Sequence, residues 1–222
     1  MKKLISECLY FLSSYFGPIF KIFGPFVLIT TFLGPWLKAS FSSSNDIWVY
    51  FLYLALFSFL QTYLMARFIK FMAFIASGKQ TERSVSWKTW FRLFVVYLIY
   101  GIAIMLGFIA LIIPGIYIAA RYAFADFETV LNNRSPISAL NESWQDTKDI
   151  VGKLMIVTAL MSGIQVLLGY GFGYIGTLSP TLKILTTLLN DLLSPCTIIF
   201  MSIVYFRLYV TNSDSNNETK PS

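Results

Sequence analysis

The 222-residue chain is 56% hydrophobic and 18% aromatic but only 13% charged, with a formal net charge of +6. Soluble domains carry about 25% charged residues, so a water-facing globule is excluded and an all-α polytopic membrane protein is expected. The positive excess sits in short loops between apolar stretches, which is the pattern of membrane orientation; a nucleic-acid footprint would be a basic stripe on a soluble domain.

The N-terminal MKKLISECLYFL carries two lysines like a signal peptide, but Glu7 interrupts its apolar region and no A-x-A site follows, so it reads as retained. Leu4, Cys8, Leu12 and Tyr15 recur at helical spacing, as do Ile5, Leu9, Leu12 and Phe16. The pattern suggests an amphipathic helix at the membrane surface; the alternative is a frayed start to the first span. A bilayer core of ~30 Å takes about 20 helical residues. The first span is expected from Pro18 to Leu37, with Pro18 and Pro35 marking its ends and Pro25 kinking its interior. A Ser-rich loop, Lys38 to Asp46, leads to a second span from Ile47 to Met65, continued by the basic amphipathic RFIKFMAFIASG. The next loop, Gly78 to Arg92, holds Lys79, Arg83, Lys88 and Arg92 against Glu82, with Trp87 and Trp90 as interface aromatics.

The third span is Leu93 to Ile113, closed by Pro114-Gly115 as an outer hairpin, and the fourth is the shorter Ile116 to Leu131. Ser135 to Lys148 predicts a cytoplasmic surface helix. Ser135 suits its N-cap and Pro136 its first position, and Ile137, Leu140, Trp144 and Val151 form an apolar face to lie on the bilayer. The fifth span runs from Ile150 to Tyr174 and the sixth from Ile184 to Phe206. The polar tail 211–222 is expected to be disordered, leaving 1–210 as one membrane domain; no internal repeat is convincing.

Six spans with both termini cytoplasmic place fourteen of the 17 Lys and Arg inside and only Lys38 and Lys183 outside, with Arg121 in the membrane. Five spans would put Arg134, Lys148, Lys153, Arg207 and Lys220 outside with Lys38, so the charge bias favours six. No histidine is present, which removes the commonest general base and zinc ligand. Cys8 and Cys196 fall in different layers and form no C-x-x-C. No metal or cofactor is expected, and the partners are the lipid bilayer and, as a possibility, another membrane protein or a second copy.

The segment IIPGIYIAARYAFADFETVLNNRSPISALNESWQDTK, with its Ser-Pro-Ile-x-Ala-Leu-x-x-Ser-Trp-x-x-Thr helix at Ser135 to Thr147, resembles the YciC-like family of bacterial inner-membrane proteins. It also resembles the wider group of membrane domains attached to some glycerophosphodiester phosphodiesterases. Supporting similarity continues through Leu178 to Tyr209, so the resemblance covers the last two-thirds of the chain. It implies the inner membrane of a Gram-negative bacterium and brings no established activity; the phosphodiesterase association is not expected to carry over to this chain.

Ionisable groups inside a span cost a few kcal/mol and usually face protein or water. The candidates are Arg121, Asp126, Glu128 and Asp191, with Asn190 as a polar neighbour. Asp126 and Glu128 lie toward the cytoplasmic end of the fourth span, where an interfacial position explains them; on a helix they point about 200° apart and do not converge as an acid/base pair. Arg121 and Asp191 match in depth, and Arg121 has no carboxylate at i+3 or i+4, so an ion pair between the fourth and sixth spans is expected. Gly169 and Gly173 form a GxxxG that either admits a second helix or marks a helix break. Three readings of function follow: a non-catalytic structural, envelope or partner-binding protein; a small transporter or channel with a polar layer around Arg121 and Asp191; and an intramembrane lipid-modifying enzyme.

Overall fold

The computed structural model describes residues 2–42, 47–78 and 84–218. In chain order they form α1 (Lys2–Ser14), α2 (Phe16–Ser42), α3 (Ile47–Ser77), α4 (Trp87–Ala110), α5 (Ile112–Arg121), α6 (Ala125–Leu131), α7 (Pro136–Asp146), α8 (Val151–Gly176) and α9 (Pro180–Glu218), with no strand among the described residues. Among those residues, four helices are long and apolar enough to cross a membrane, at Leu54–Ser77, Trp87–Ala110, Val151–Gly176 and Pro180–Ser213. A fifth is added if α1 and α2, bent by 74°, count as one broken crossing.

The sequential pairs α2–α3, α4–α5 and α8–α9 pack together, while α8 also packs on α5 and α9 on α2. Burial is lopsided. Phe68, Ile69 and Met72 of α3 join Leu93, Phe124, Phe127, Leu154 and Val204 in one buried cluster. Ile102, Leu106 and Ile109 of α4, Leu167 of α8 and Ile184 of α9 are exposed. Apolar bands of that size are unfavourable in water and ordinary against lipid tails.

Together α5 and α6 retrace α4. Arg92 Nη1 donates to the Asn133 carbonyl at 2.9 Å, the Tyr97 hydroxyl meets Asp126 Oδ2 at 3.5 Å, and the Tyr100 and Tyr122 rings lie 6.1 Å apart, edge to face. Farther along α4, Gly107 faces Gly115. The reversal is at Leu111, extended at φ −171° and ψ 160°, three residues before the Pro114-Gly115 turn that the sequence suggests. Pro114 instead sits in the first turn of α5, where a missing N–H costs no helical bond. Gly115 serves the packing: a Cβ on Gly107 would lie 2.9 Å from its Cα.

Other expectations are corrected by continuity. Helix α2 runs past Pro35, where an end is expected, to Ser42, and α8 runs through its glycines without a break. Apolar span and basic extension are one helix in α3, as its sequence reads. The Trp90 indole N–H donates to the Phe59 carbonyl at 2.9 Å and stacks on Phe59, so it ties α4 to α3, while Trp87 is exposed. The tail expected to be disordered continues α9 to Glu218, where Asn212 donates to the Asp146 carbonyl. Residues 219–222, like the loop charges Lys79, Glu82 and Arg83, lie outside the described residues.

Helix α1 divides its two apolar stripes. Cys8 is buried, with Leu4, Leu12 and Tyr15 packed against the core, whereas Ile5, Leu9 and Phe16 are exposed. In α7, Ser135 caps the helix by accepting from the Ser138 N–H at 3.4 Å, and Pro136 opens it, as expected. Of the face expected to lie on the bilayer, Ile137 is exposed, while Leu140 is buried against the protein together with Ala139 and Ser143. The helix is seated on α4 and α6 through small and hydroxyl side chains, which allow close contact, and the Ile137 side faces outward.

Candidate functional site

The α5–α6 break, Tyr122 to Phe124, leaves helical hydrogen bonds unmade, and α7 supplies them. Ser143 Oγ donates to the Arg121 carbonyl at 2.8 Å and accepts from the Phe124 N–H at 3.1 Å. Thr147 Oγ1, four residues on and so on the same helical face, lies 3.1 Å from the same carbonyl. Both side chains are buried. Without them the break would hold orphaned backbone groups away from water, which is costly.

Arg121 is 5% exposed and stands over the Trp144 ring at 4.5 Å and the Tyr117 ring at 5.9 Å. Its Nε has no hydrogen-bond partner among the described residues. The expected ion pair with Asp191 is not formed: the two salt bridges among the described residues are Arg134–Glu142 and Arg207–Glu7. Matched depth on two helices leaves azimuth free, and α5 and α9 share no extended face because each packs on α8. Arg121 turns toward α7, where a desolvated cation–π contact contributes about 2 kcal/mol.

Asp126 and Glu128 diverge, as their spacing predicts. Asp126 faces α4 through Tyr97 and also accepts from the Phe127 N–H at 3.0 Å. Glu128, 5% exposed, accepts from the Tyr209 hydroxyl at 2.9 Å and from Asn132 Nδ2 at 2.8 Å. It is therefore a buried tie between α6 and α9, with every contact a structural one.

Asn190 and Asp191 lie together on α9 and line two adjoining cavities. One, of ≈ 770 Å³ between α8 and α9, is also lined by Gly169, Gly173, Lys183 and Thr187. The other, of ≈ 310 Å³, reaches Thr30 of α2, Gln61 of α3 and Ser194 of α9. A third cavity of ≈ 360 Å³ shares Gln61, Met65 and Ile198 with the second and ends on Ser58, Thr62 and Tyr97. The GxxxG pair does not bring helices together: a Cβ built on Gly169 or Gly173 would meet nothing within 4 Å, whereas one on Gly176, at the turn, would lie 3.0 Å from Thr186 Oγ1 of α9. The pair leaves the first cavity open. Ser194 also accepts from Gln165 Nε2 of α8 at 2.8 Å.

A separate cleft of ≈ 570 Å³ between α1, α3 and α9 is lined by Cys8, Phe11, Met72, Ile203 and the Glu7–Arg207 pair. Burial, with the charge of Glu7 beside it, pushes the Cys8 thiol up to about 11, so it is a poor nucleophile at neutral pH. The described residues hold no group of three or more His, Cys, Asp or Glu that could hold a metal ion.

Sequence reasoning missed Gln61, Tyr97, Ser143 and Thr147. Gln61-Thr62 inside an apolar span was a usable signal, as was the i, i+4 hydroxyl pair in a helix otherwise rich in carboxylates and amides. No family model, curated protein or solved structure matches the chain, so the YciC-like resemblance rests on the residues quoted for it.

Proposed function

We propose that this chain is a YciC-like bacterial inner-membrane protein of six crossings, with both termini cytoplasmic, that provides a polar route through the bilayer for a small solute. The crossings are α2, α3, α4, the broken pair α5–α6, α8 and α9, with α1 at the surface. The four rungs from Arg92–Asn133 to Gly107–Gly115 support α5–α6 as a return crossing, and the charge bias supports the orientation.

One observation carries the function: three cavities, each sharing lining residues with the next, lead from Lys183 past Asp191 and Gln61 to Tyr97. Polar groups in a membrane interior face protein or water-filled space, and the polar side chains of these cavities support the reading that water enters them. Of the polar layer expected around Arg121 and Asp191, this reading keeps Asp191 and adds Gln61 in place of Arg121. A purely structural or partner-binding role leaves those cavities without a use, and an intramembrane enzyme lacks convergent acid and base, since Asp126 and Glu128 point to different helices.

Cysteines placed at Gln61 and Asn190, with Cys8 and Cys196 changed to alanine, should react with a small charged methanethiosulfonate in membrane vesicles. A cysteine at the exposed, lipid-facing Leu106 should not. Gln61→Cys and Asn190→Cys as inert as Leu106→Cys would mean a dry interior and no route.

A further inference from the structure

The cleft between α1, α3 and α9 shares no lining residue with the cavities of the proposed route. At ≈ 570 Å³ it falls within the range of about 300–1,000 Å³ typical of small-ligand sites. Phe11, Met72, Ile75, Ile203 and Phe206 give it an apolar lining, and Met72, Ile203 and Phe206 are buried. Its charged lining residues are Glu7 of α1 and Arg207 of α9, one of each sign. They pair through one nitrogen and one oxygen, Arg207 Nε donating to Glu7 Oε2 at 3.1 Å. Both side chains stay partly exposed, and the Arg207 Nη groups and Glu7 Oε1 make no other hydrogen bond among the described residues.

A shallow groove along Leu9, Tyr10, Leu12 and Phe16 adjoins the cleft and shares Tyr10 with it. Leu9, Tyr10 and Phe16 are exposed, and the apolar stripe of a surface helix lies at the acyl boundary of a bilayer. The groove therefore joins the cleft to hydrocarbon, and what enters along it is a lipid chain. The ion pair favours one kind of headgroup. An arginine alone suits any phosphate, but a carboxylate beside it repels a second negative charge and attracts a cation. Guanidinium and carboxylate in contact complement a headgroup whose phosphate and ammonium are joined by a short ethylene unit. An anionic headgroup leaves Glu7 opposed, and a quaternary ammonium has no N–H to give it.

We infer that this cleft binds one zwitterionic phospholipid with a primary ammonium, of the phosphoethanolamine class. An acyl chain lies against Phe11, Met72 and Ile203, the phosphate accepts from the Arg207 Nη groups, and the ammonium donates to Glu7 Oε1. The inference uses the surface position of α1 proposed above and is independent of the polar route.

Native mass spectrometry of the purified full-length chain in detergent, titrated with dioleoyl-phosphatidylethanolamine, phosphatidylcholine or phosphatidylglycerol, tests this. One phosphatidylethanolamine per chain should bind about fivefold or more tighter than either of the others. Arg207→Gln should weaken all three lipids by roughly tenfold, the size of a lost charge-assisted hydrogen bond. Glu7→Gln should abolish the preference: phosphatidylethanolamine falls to the level of phosphatidylcholine, while phosphatidylglycerol binds at least as tightly as before. Ala76→Phe, which fills the cleft from an exposed position on α3, should weaken all three. Lys153→Gln, an exposed cation of α8 outside the cleft, should change none. Each preference compares lipids on one folded sample, so a lower yield of a variant does not alter it. Equal binding of the three lipids by the unaltered chain, or tighter binding of phosphatidylglycerol, would overturn the assignment. An unchanged lipid ranking in Glu7→Gln would do so too, since the pair would then only join α1 to α9. Full binding by Ala76→Phe would place the lipid elsewhere and sink the site. A chain that shows the preference while Gln61→Cys stays inert keeps this inference and loses the route.

Discussion

Gly107→Leu should prevent the α4–α5 pair from closing and is expected to be among the most damaging single changes in the chain. The added Cβ would fall 2.9 Å from the Cα of Gly115 and 3.0 Å from Ile118 Cδ1. The first of these is backbone, which cannot rotate aside, so relief requires the helices to separate. Overpacking costs typically 1–3 kcal/mol and sometimes more, and a backbone collision belongs at the upper end, about 3 kcal/mol. Lipid adds little resistance to the separation, because helix association in a bilayer depends on close packing with little help from hydrophobic burial. Gly101→Leu is the control: it lies on the same helix with nothing within 4 Å of its Cβ, and replacing a mid-helix glycine there gains about 0.5–1 kcal/mol. Thermal unfolding in detergent should separate the two variants clearly. Equal melting temperatures would mean that α5 does not pack on α4 at this point.

Ser143→Ala combined with Thr147→Val should release α7 from the helix break it closes. The double variant strands the Arg121 carbonyl and the Phe124 N–H in a buried site. An unsatisfied buried group costs about 1–3 kcal/mol, so the two stranded groups should cost about 2–6 kcal/mol together. Thr147→Val alone should cost far less, since Ser143 still donates to the same carbonyl. Hydrogen exchange at the Phe124 amide should accelerate in the double variant and hardly at all in Thr147→Val. An unchanged exchange rate in both would show that the break is satisfied by other means.

Local signals in the sequence fared better than relations between helices. The Ser135 cap, Pro136 at the helix start and the divergence of Asp126 from Glu128 depend on geometry within one helix, and each is legible from spacing alone. The Pro114-Gly115 pair reads as a turn because proline and glycine both disfavour helix interiors; its place in a first turn, with the glycine used for contact, depends on Gly107 in another helix. The same holds for Arg121 and Asp191. Depth follows from counting residues, but the side a residue faces follows from how α8 stands beside both α5 and α9. Ser143 and Thr147 stayed hidden because hydroxyls on an amphipathic helix read as a water-facing side, and their role appears only beside a broken helix that supplies free backbone groups. The glycines of α8 point the other way: GxxxG suggests close approach, yet Gly169 and Gly173 border open space.

The layout depends above all on α5–α6 being a full crossing, because the alternative, an apolar turn at Leu111 that stops inside the bilayer, would leave the turn in lipid and remove two crossings. Single cysteines at Ser84, Ile112 and Asn141, in a chain lacking Cys8 and Cys196, test this with a membrane-impermeant maleimide applied to right-side-out and inside-out vesicles. Ser84→Cys and Asn141→Cys should label only in inside-out vesicles and Ile112→Cys only in right-side-out ones. An Ile112→Cys protected in both preparations, or labelled from the same side as Ser84→Cys, would contradict the six-crossing account.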